Sequence, residues 1–220
     1  MNRPLRGDSA VTTMSIHMNF KTLRILLLFL ICLVLFCCTK KSTEGVIAHN
    51  AEFKAFVTYF FIPGSTIVKN GTEGFSLSDQ YAESLLSTDD ICSSDSPCNK
   101  TKEYSLAFTP NFLFETINGR TIVSGADPDA FVDLCDIRRK KVYRVRETGT
   151  EGSIYGIFWL SDFAFVVYGM ESDETFVEVY DIKTKTKTSY TIDKSKRKPG
   201  ADLDAFLITK YGRAESSQSQ

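Results

Sequence analysis

The chain has 220 residues, 43% of them hydrophobic, and its 26 basic and 27 acidic side chains leave a formal net charge of −1. That is enough apolar mass for one domain with a real core. The mixed, near-neutral charge lacks the basic surplus of a nucleic-acid binder, so no nucleic-acid partner is expected.

Residues 1–17 show no apolar pattern and read as an extension ahead of the expected start at Met18 or Met14. Lys21 and Arg24 then flank an unbroken apolar run from Ile25 to Phe36. This run is shorter than the ~20 residues a membrane-spanning helix needs. It matches the apolar region of a secretory signal. The sequence Leu35-Phe36-Cys37-Cys38 that ends it resembles the box of bacterial lipoprotein signals, in the looser form of spirochaetal lipoproteins. The resemblance implies export, cleavage before Cys38, and a lipid on that cysteine, with Cys37 as the alternative. The rival reading is an ordinary cleaved signal, or an uncleaved anchor, with incidental cysteines. A lipid anchor with more than one acyl chain would hold the protein firmly to a membrane. Lys40 stands where an inner-membrane lipoprotein usually carries Asp, which favours the outer membrane. Residues 38–45 read as a polar tether.

Cleavage before Cys38 would remove four of the basic residues and one of the acidic ones, leaving a net charge of −4. Three cysteines lie beyond the anchor. Cys92 and Cys98 flank the turn-forming Ser-Ser-Asp-Ser-Pro and are expected to form a disulfide in an oxidising compartment. Cys135 falls in an apolar alternation and is expected in a buried strand.

Residues 46–212 are expected to form a single β domain, followed by a disordered tail at 213–220. Within it, residues 46–68 are rich in aromatic and β-branched side chains and are broken by Pro63-Gly64, which predicts a hairpin. Leu77, Tyr81 and Leu85 predict a short helix over 78–86. From Tyr104 onward the chain repeats itself. Residues 131–137 read FVDLCDI and 176–182 read FVEVYDI; 108–114 read FTPNFLF and 159–165 read WLSDFAF. The two units span about 104–146 and 153–192. In the second, strands are predicted at 154–160, 163–169, 175–182 and 187–192. Units of this length with four strands resemble β-propeller blades, which implies antiparallel sheets radiating from a common axis. A propeller closes with four or more blades, and two leave open edges. A β-sandwich is therefore the alternative, and assembly between chains is a third solution. A further echo, GADPDAFV at 125–132 and GADLDAFL at 200–207, the second followed by ITKYG as an expected apolar strand, suggests the beginning of a third unit, cut short.

Candidate site residues are few. The pairs Asp127/Asp129 and Asp202/Asp204 have the spacing to share a hard cation, but neither sits in a complete calcium loop. Asp at such positions more often shapes a turn, so no metal and no cofactor is expected. The histidines are His17 and His49, neither placed to serve a catalytic triad. The cluster Tyr155, Phe158, Trp159, Phe163, Phe165 and Tyr168 reads as core, with a ligand platform as the rival. The basic run 194–198 reads as a solvated loop. Together these features predict a lipid-anchored envelope protein that binds or scaffolds an unidentified protein or extracellular ligand without catalysis. A carboxylate-dependent hydrolase of envelope or extracellular polymers is the alternative.

Overall fold

A computed structural model describes residues 42–77, 79–81, 92, 96–125 and 129–211. The described part opens with two helices, α1 (Thr43–His49) and α2 (Ala51–Phe60). Eleven strands follow: β1 (Ile67–Gly74), β2 (Asp79–Tyr81), β3 (Tyr104–Thr109), β4 (Phe112–Ile117), β5 (Arg120–Gly125), β6 (Ala130–Asp136), β7 (Lys141–Thr148), β8 (Gly152–Trp159), β9 (Ala164–Glu171), β10 (Glu174–Asp181) and β11 (Thr186–Ile192). Helix α3 (Leu203–Tyr211) comes last.

The structure is mostly β, and every strand pairing is antiparallel. A five-stranded sheet runs β1-β11-β10-β9-β8, a four-stranded sheet runs β2-β7-β6-β3, and β4-β5 form a separate hairpin. None of these sheets closes on itself.

The five-stranded sheet is apolar on both faces, and its pleat assigns successive residues to different layers. Phe165 and Val167 on β9 and Tyr180 on β10 face Leu106, Val132 and Leu134 of the four-stranded sheet. The intervening Val166 and Tyr168, with Val177 and Val179, face the helices. There they meet Phe53, Phe56 and Phe60 of α2 and Phe206 and Leu207 of α3. The order of layers is therefore helices, five-stranded sheet, four-stranded sheet.

The hairpin expected within 46–68 is helical instead. Asn50 caps α2, its Oδ1 accepting the Phe53 amide at 3.0 Å. Phe53, Phe56 and Phe60 then fall on one face at helical spacing and are 0–1% exposed. Helix α1 also takes in Thr43, Glu44 and Gly45, which were expected in the tether. Pro63-Gly64 is a turn, with Gly64 at φ 86°, but it joins helix to strand. Where it is described, the helix predicted at 78–86 is the strand β2, which pairs with β7; residues 78 and 82–86 lie outside the described residues.

The repeat is real where it covers a turn. Asp136 Oδ1 accepts the Arg139 amide and Asp181 Oδ1 accepts the Thr184 amide, both at 2.9 Å. Lys140 and Lys185, at matching positions, both turn left-handed at φ 54° and 55°. It fails where 108–114 matches 159–165. Strand β9 stays in the middle of its sheet, whereas β4 leaves and folds onto β5, so β3 pairs directly with β6. The hairpin turns at Asn118-Gly119, both left-handed, the residues such a two-residue turn favours. The expected third unit is also absent: residues 203–211 form α3, not a strand.

Candidate functional site

A cleft of about 690 Å³ lies where the hairpin leaves the sheets. Phe112 and Phe114 form one wall, with Pro110 and Phe108 at the hairpin's root. Gly156, Ile157, Phe158 and Trp159 of β8 form the floor, Pro97 one side and Tyr211 of α3 the other. Rings dominate this surface. The Tyr211 ring centroid lies 5.8 Å from that of Phe112 and 6.3 Å from that of Phe114, so the hairpin is seated on the end of α3.

A bulge in β8 builds the polar corner of the cleft. Ile154 pairs with Gly169 and Gly156 with Tyr168, so Tyr155 has no partner across the ladder. Its carbonyl instead accepts from Lys210 Nζ at 2.6 Å and from the Tyr211 hydroxyl at 2.7 Å. Lys210 also donates to the Tyr168 hydroxyl at 2.9 Å and forms an ion pair with Glu52 at 3.3 Å. Gly156 leaves room for this cluster, since a Cβ there would lie 2.5 Å from the Tyr168 hydroxyl and 2.7 Å from Lys210 Nζ. Burial pushes the Lys210 ammonium down from its usual pKa, with Glu52 opposing. Burial also raises the Tyr155 hydroxyl to about 12 and the Tyr168 hydroxyl well above its usual value. All three protons of the lysine are thus engaged, and its charge is balanced by Glu52. The corner fixes the backbone and adds no net charge to an apolar site.

Other polar groups serve the fold. Arg146 pairs with Glu171 at 2.6 Å and Glu178 at 3.5 Å, and its guanidinium lies 4.6 Å from the Phe176 ring centroid. Lys187 joins Glu178 and Glu73, and the Tyr180 hydroxyl donates to Glu178 at 2.7 Å. This network ties β7, β9, β10, β11 and β1 together. The basic run is likewise structural: Lys198 donates its backbone N–H to Phe60 O and its Nζ to Thr58 O, and Arg197 pairs with Asp173.

Asp202 is not placed as a metal ligand. Its Oδ1 accepts the Asp204 amide at 2.9 Å and caps the start of α3, while Asp204 lies in the first turn. Asp129 precedes β6; Asp127 lies outside the described residues. Among the described residues no group of three His, Cys, Asp or Glu side chains could hold a metal ion. His49 hydrogen-bonds Gly45 O within its own helix. Cys92 and Cys98 are disulfide-bonded, and Cys135 is a buried free thiol whose pKa burial raises. Cys37 and Cys38 lie outside the described residues. The aromatic cluster divides: Tyr155 and Tyr168 join the helix-side core, Phe165 the core between the sheets, and Phe163 is 39% exposed. Phe158 and Trp159 combine core packing with a place on the cleft floor. Sequence reasoning missed Lys210, Tyr211, Phe112 and Phe114, since only the folded chain brings them together.

The fold and cleft define a mostly β, antiparallel protein with one helix-covered sheet and an aromatic cleft edged by the Lys210–Glu52 ion pair. Comparison with protein-family models, with curated proteins and with solved structures finds no match to this chain. Among the described residues no helix is long and apolar enough to cross a membrane.

Proposed function

We propose that this protein is a lipid-anchored, exported component of the cell envelope that binds a ligand without turning it over. The observation that carries the binding role is the aromatic cleft, where Lys210, the cation lining it among the described residues, is paired with Glu52 and donates to Tyr155 O and the Tyr168 hydroxyl. Concave, mainly apolar sites with a few convergent polar groups are the usual form of ligand pockets. The favoured ligand is uncharged or presents an apolar or aromatic moiety. The hydrolase alternative needs two carboxylates flanking the scissile bond. Among the described residues Glu52 is the carboxylate lining the cleft, and it is paired with Lys210. The two stacked sheets, with their matching Asp-capped turns, are in our reading diverged copies of one blade-like unit.

An uncharged solvatochromic dye, Nile red, tests the cleft. It is expected to bind saturably, and Leu113→Glu should weaken that binding by about tenfold, the effect of losing ~1.4 kcal/mol of apolar contact. Leu113 lines the cleft and is 54% exposed, so the melting temperature should not move. Equal dye affinity in the variant would remove the cleft from the proposal. Release of reducing ends from a glycan panel by the purified chain would favour the hydrolase.

The anchor and the outer-membrane location rest on the apolar run and Cys38. Labelled fatty acid is expected to enter the wild type and to be lost in Cys38→Ser. Label surviving in both Cys38→Ser and Cys37→Ser would end that part of the proposal.

A further inference from the structure

Strand β8 ends the five-stranded sheet, so one side of its backbone has no strand beside it. Gly156, Ile157, Phe158 and Trp159 all line the cleft. Consecutive residues do so where a strand is met edge-on, since on either face alternate residues turn away. The register tells which backbone groups this edge presents. In an antiparallel ladder each residue turns its N–H and C=O either to the neighbouring strand or away from it, in alternation. The Leu160 amide bonds Ala164 O at 2.8 Å, and Trp159 stands opposite Phe165. Counting back, Phe158 and Gly156 bond to β9, while Ile157 and Trp159 turn outwards. Strand β9 agrees from its other side. The Ile182 amide bonds Phe163 O at 2.8 Å, so Phe165 and Val167 turn their groups to β10, away from Trp159 and Ile157.

Other stretches of sheet edge are closed. On β8 itself, Asn111 Nδ2 donates to Gly152 O at 2.8 Å, and Lys210 and Tyr211 donate to Tyr155 O. On β3, the Leu106 amide bonds Pro97 O, and Tyr104 O accepts the Asn99 amide. Strand β1 is bulged at Asn70 and carries Lys69 and Glu73, features that discourage pairing. Among the described residues no strand pairs with the outward side of Ile157 or Trp159.

We propose that the ligand of the cleft is an extended segment of another protein, which pairs with β8 as a sixth strand through Ile157 and Trp159. The outward row of N–H and C=O groups repeats every two residues, or roughly 6.8 Å. It is complementary in charge and spacing to one class of ligand, another extended backbone. In such strand addition the main-chain bonds supply affinity and the flanking pockets choose side chains. Side chains of the added segment alternate between the two faces of the sheet. On one face they meet Phe112 and Tyr211, which belong to the helix-side core, and on the other Phe108, which packs on the core between the sheets. The segment is therefore apolar on both faces over about three residues, the length that two outward positions span. This identification rests on the reading of the cleft as a binding site.

A display library of random heptapeptides, screened on the full chain, tests this. Peptides with three or more consecutive apolar residues should be enriched, and the tightest should change the emission of Trp159, the single tryptophan. With that peptide bound, hydrogen exchange at the Ile157 and Trp159 amides should slow by about tenfold or more. N-methylation of alternate peptide residues should weaken binding by about tenfold, and N-methylation of the residues between them should not, the signature of main-chain pairing. A peptide that binds without slowing these two amides, or that tolerates every N-methyl group, would overturn strand addition and leave the cleft reading the ligand's side chains alone. Slowed exchange on β1 instead would also overturn it, as the wrong edge. Protection of the two amides that rises with protein concentration alone would give the place to a second copy of this chain and overturn the proposal. Saturable Nile red binding with no peptide enriched would reject the peptide and keep the cleft; absence of both would reject the two together.

Discussion

Phe56→Ala is expected to lower the unfolding free energy by about 4 kcal/mol, within the range for burying a cavity in place of a phenyl ring. Phe56 is fully buried, and its ring lies between 5.2 and 6.1 Å from those of Phe53, Phe60, Phe61, Tyr155, Tyr168 and Phe206. These partners come from α2 itself and its C-cap residue, β8, β9 and α3, so no single element can move in to fill the space. Urea denaturation followed by circular dichroism measures the loss. A cost below about 1 kcal/mol would mean that the helical layer is not part of the cooperative core.

Gly169→Ala is expected to cost about 3 kcal/mol, the upper end of the overpacking range. A Cβ at this position would stand 2.1 Å from Ser153 O, 2.7 Å from Phe176 Cζ and 3.0 Å from Ile154 Cα. Two of those atoms are backbone of the neighbouring β8, next to the bulge at Tyr155, and cannot rotate away. The change should also loosen the carbonyl that Lys210 and Tyr211 hold. Gly71→Ala on β1, where nothing lies within 4 Å, is the control and should leave stability nearly unchanged. Comparable midpoints for the two variants would show that β8 and β9 are not as closely apposed as the structure has them.

Much of the β architecture was legible because the physical signal is local. In the second repeat unit the strands fall within one or two residues of their expected places, as hydrophobic runs separated by short turns rich in Asp, Ser and Lys. The helices were misread for a physical reason. Phe53, Phe56 and Phe60 are good strand formers by propensity, and in an aromatic-rich segment that preference outweighed their helical spacing and the Asn50 cap. The two near-identical octapeptides make the same point from the other side. At 125–132 the sequence leads into β6, and at 200–207 it starts α3. Gly200 and the Asp202 cap are compatible with a helix start, but only packing of Phe206 and Leu207 on the five-stranded sheet selects it. The cleft was legible in part: Phe158 and Trp159 stood out, but Phe112, Phe114, Lys210 and Tyr211 lie from 44 to 53 residues away along the chain, beyond any local pattern.

The β4–β5 hairpin has a consequence for how this protein can change over generations. Because β3 pairs directly with β6, the segment between them contributes no rung to either large sheet. Its length and outward-facing side chains, Leu113, Ile117 and Ile122 among them, are free to vary without shifting a register. The same segment supplies the cleft's mobile-in-sequence wall through Phe112 and Phe114. Changes at its exposed positions and at the Asn118-Gly119 turn would remodel recognition while Phe112, buried in the helix-side core, keeps the hairpin seated, which makes the tip of this hairpin the natural place for diversification and for grafting a new binding loop.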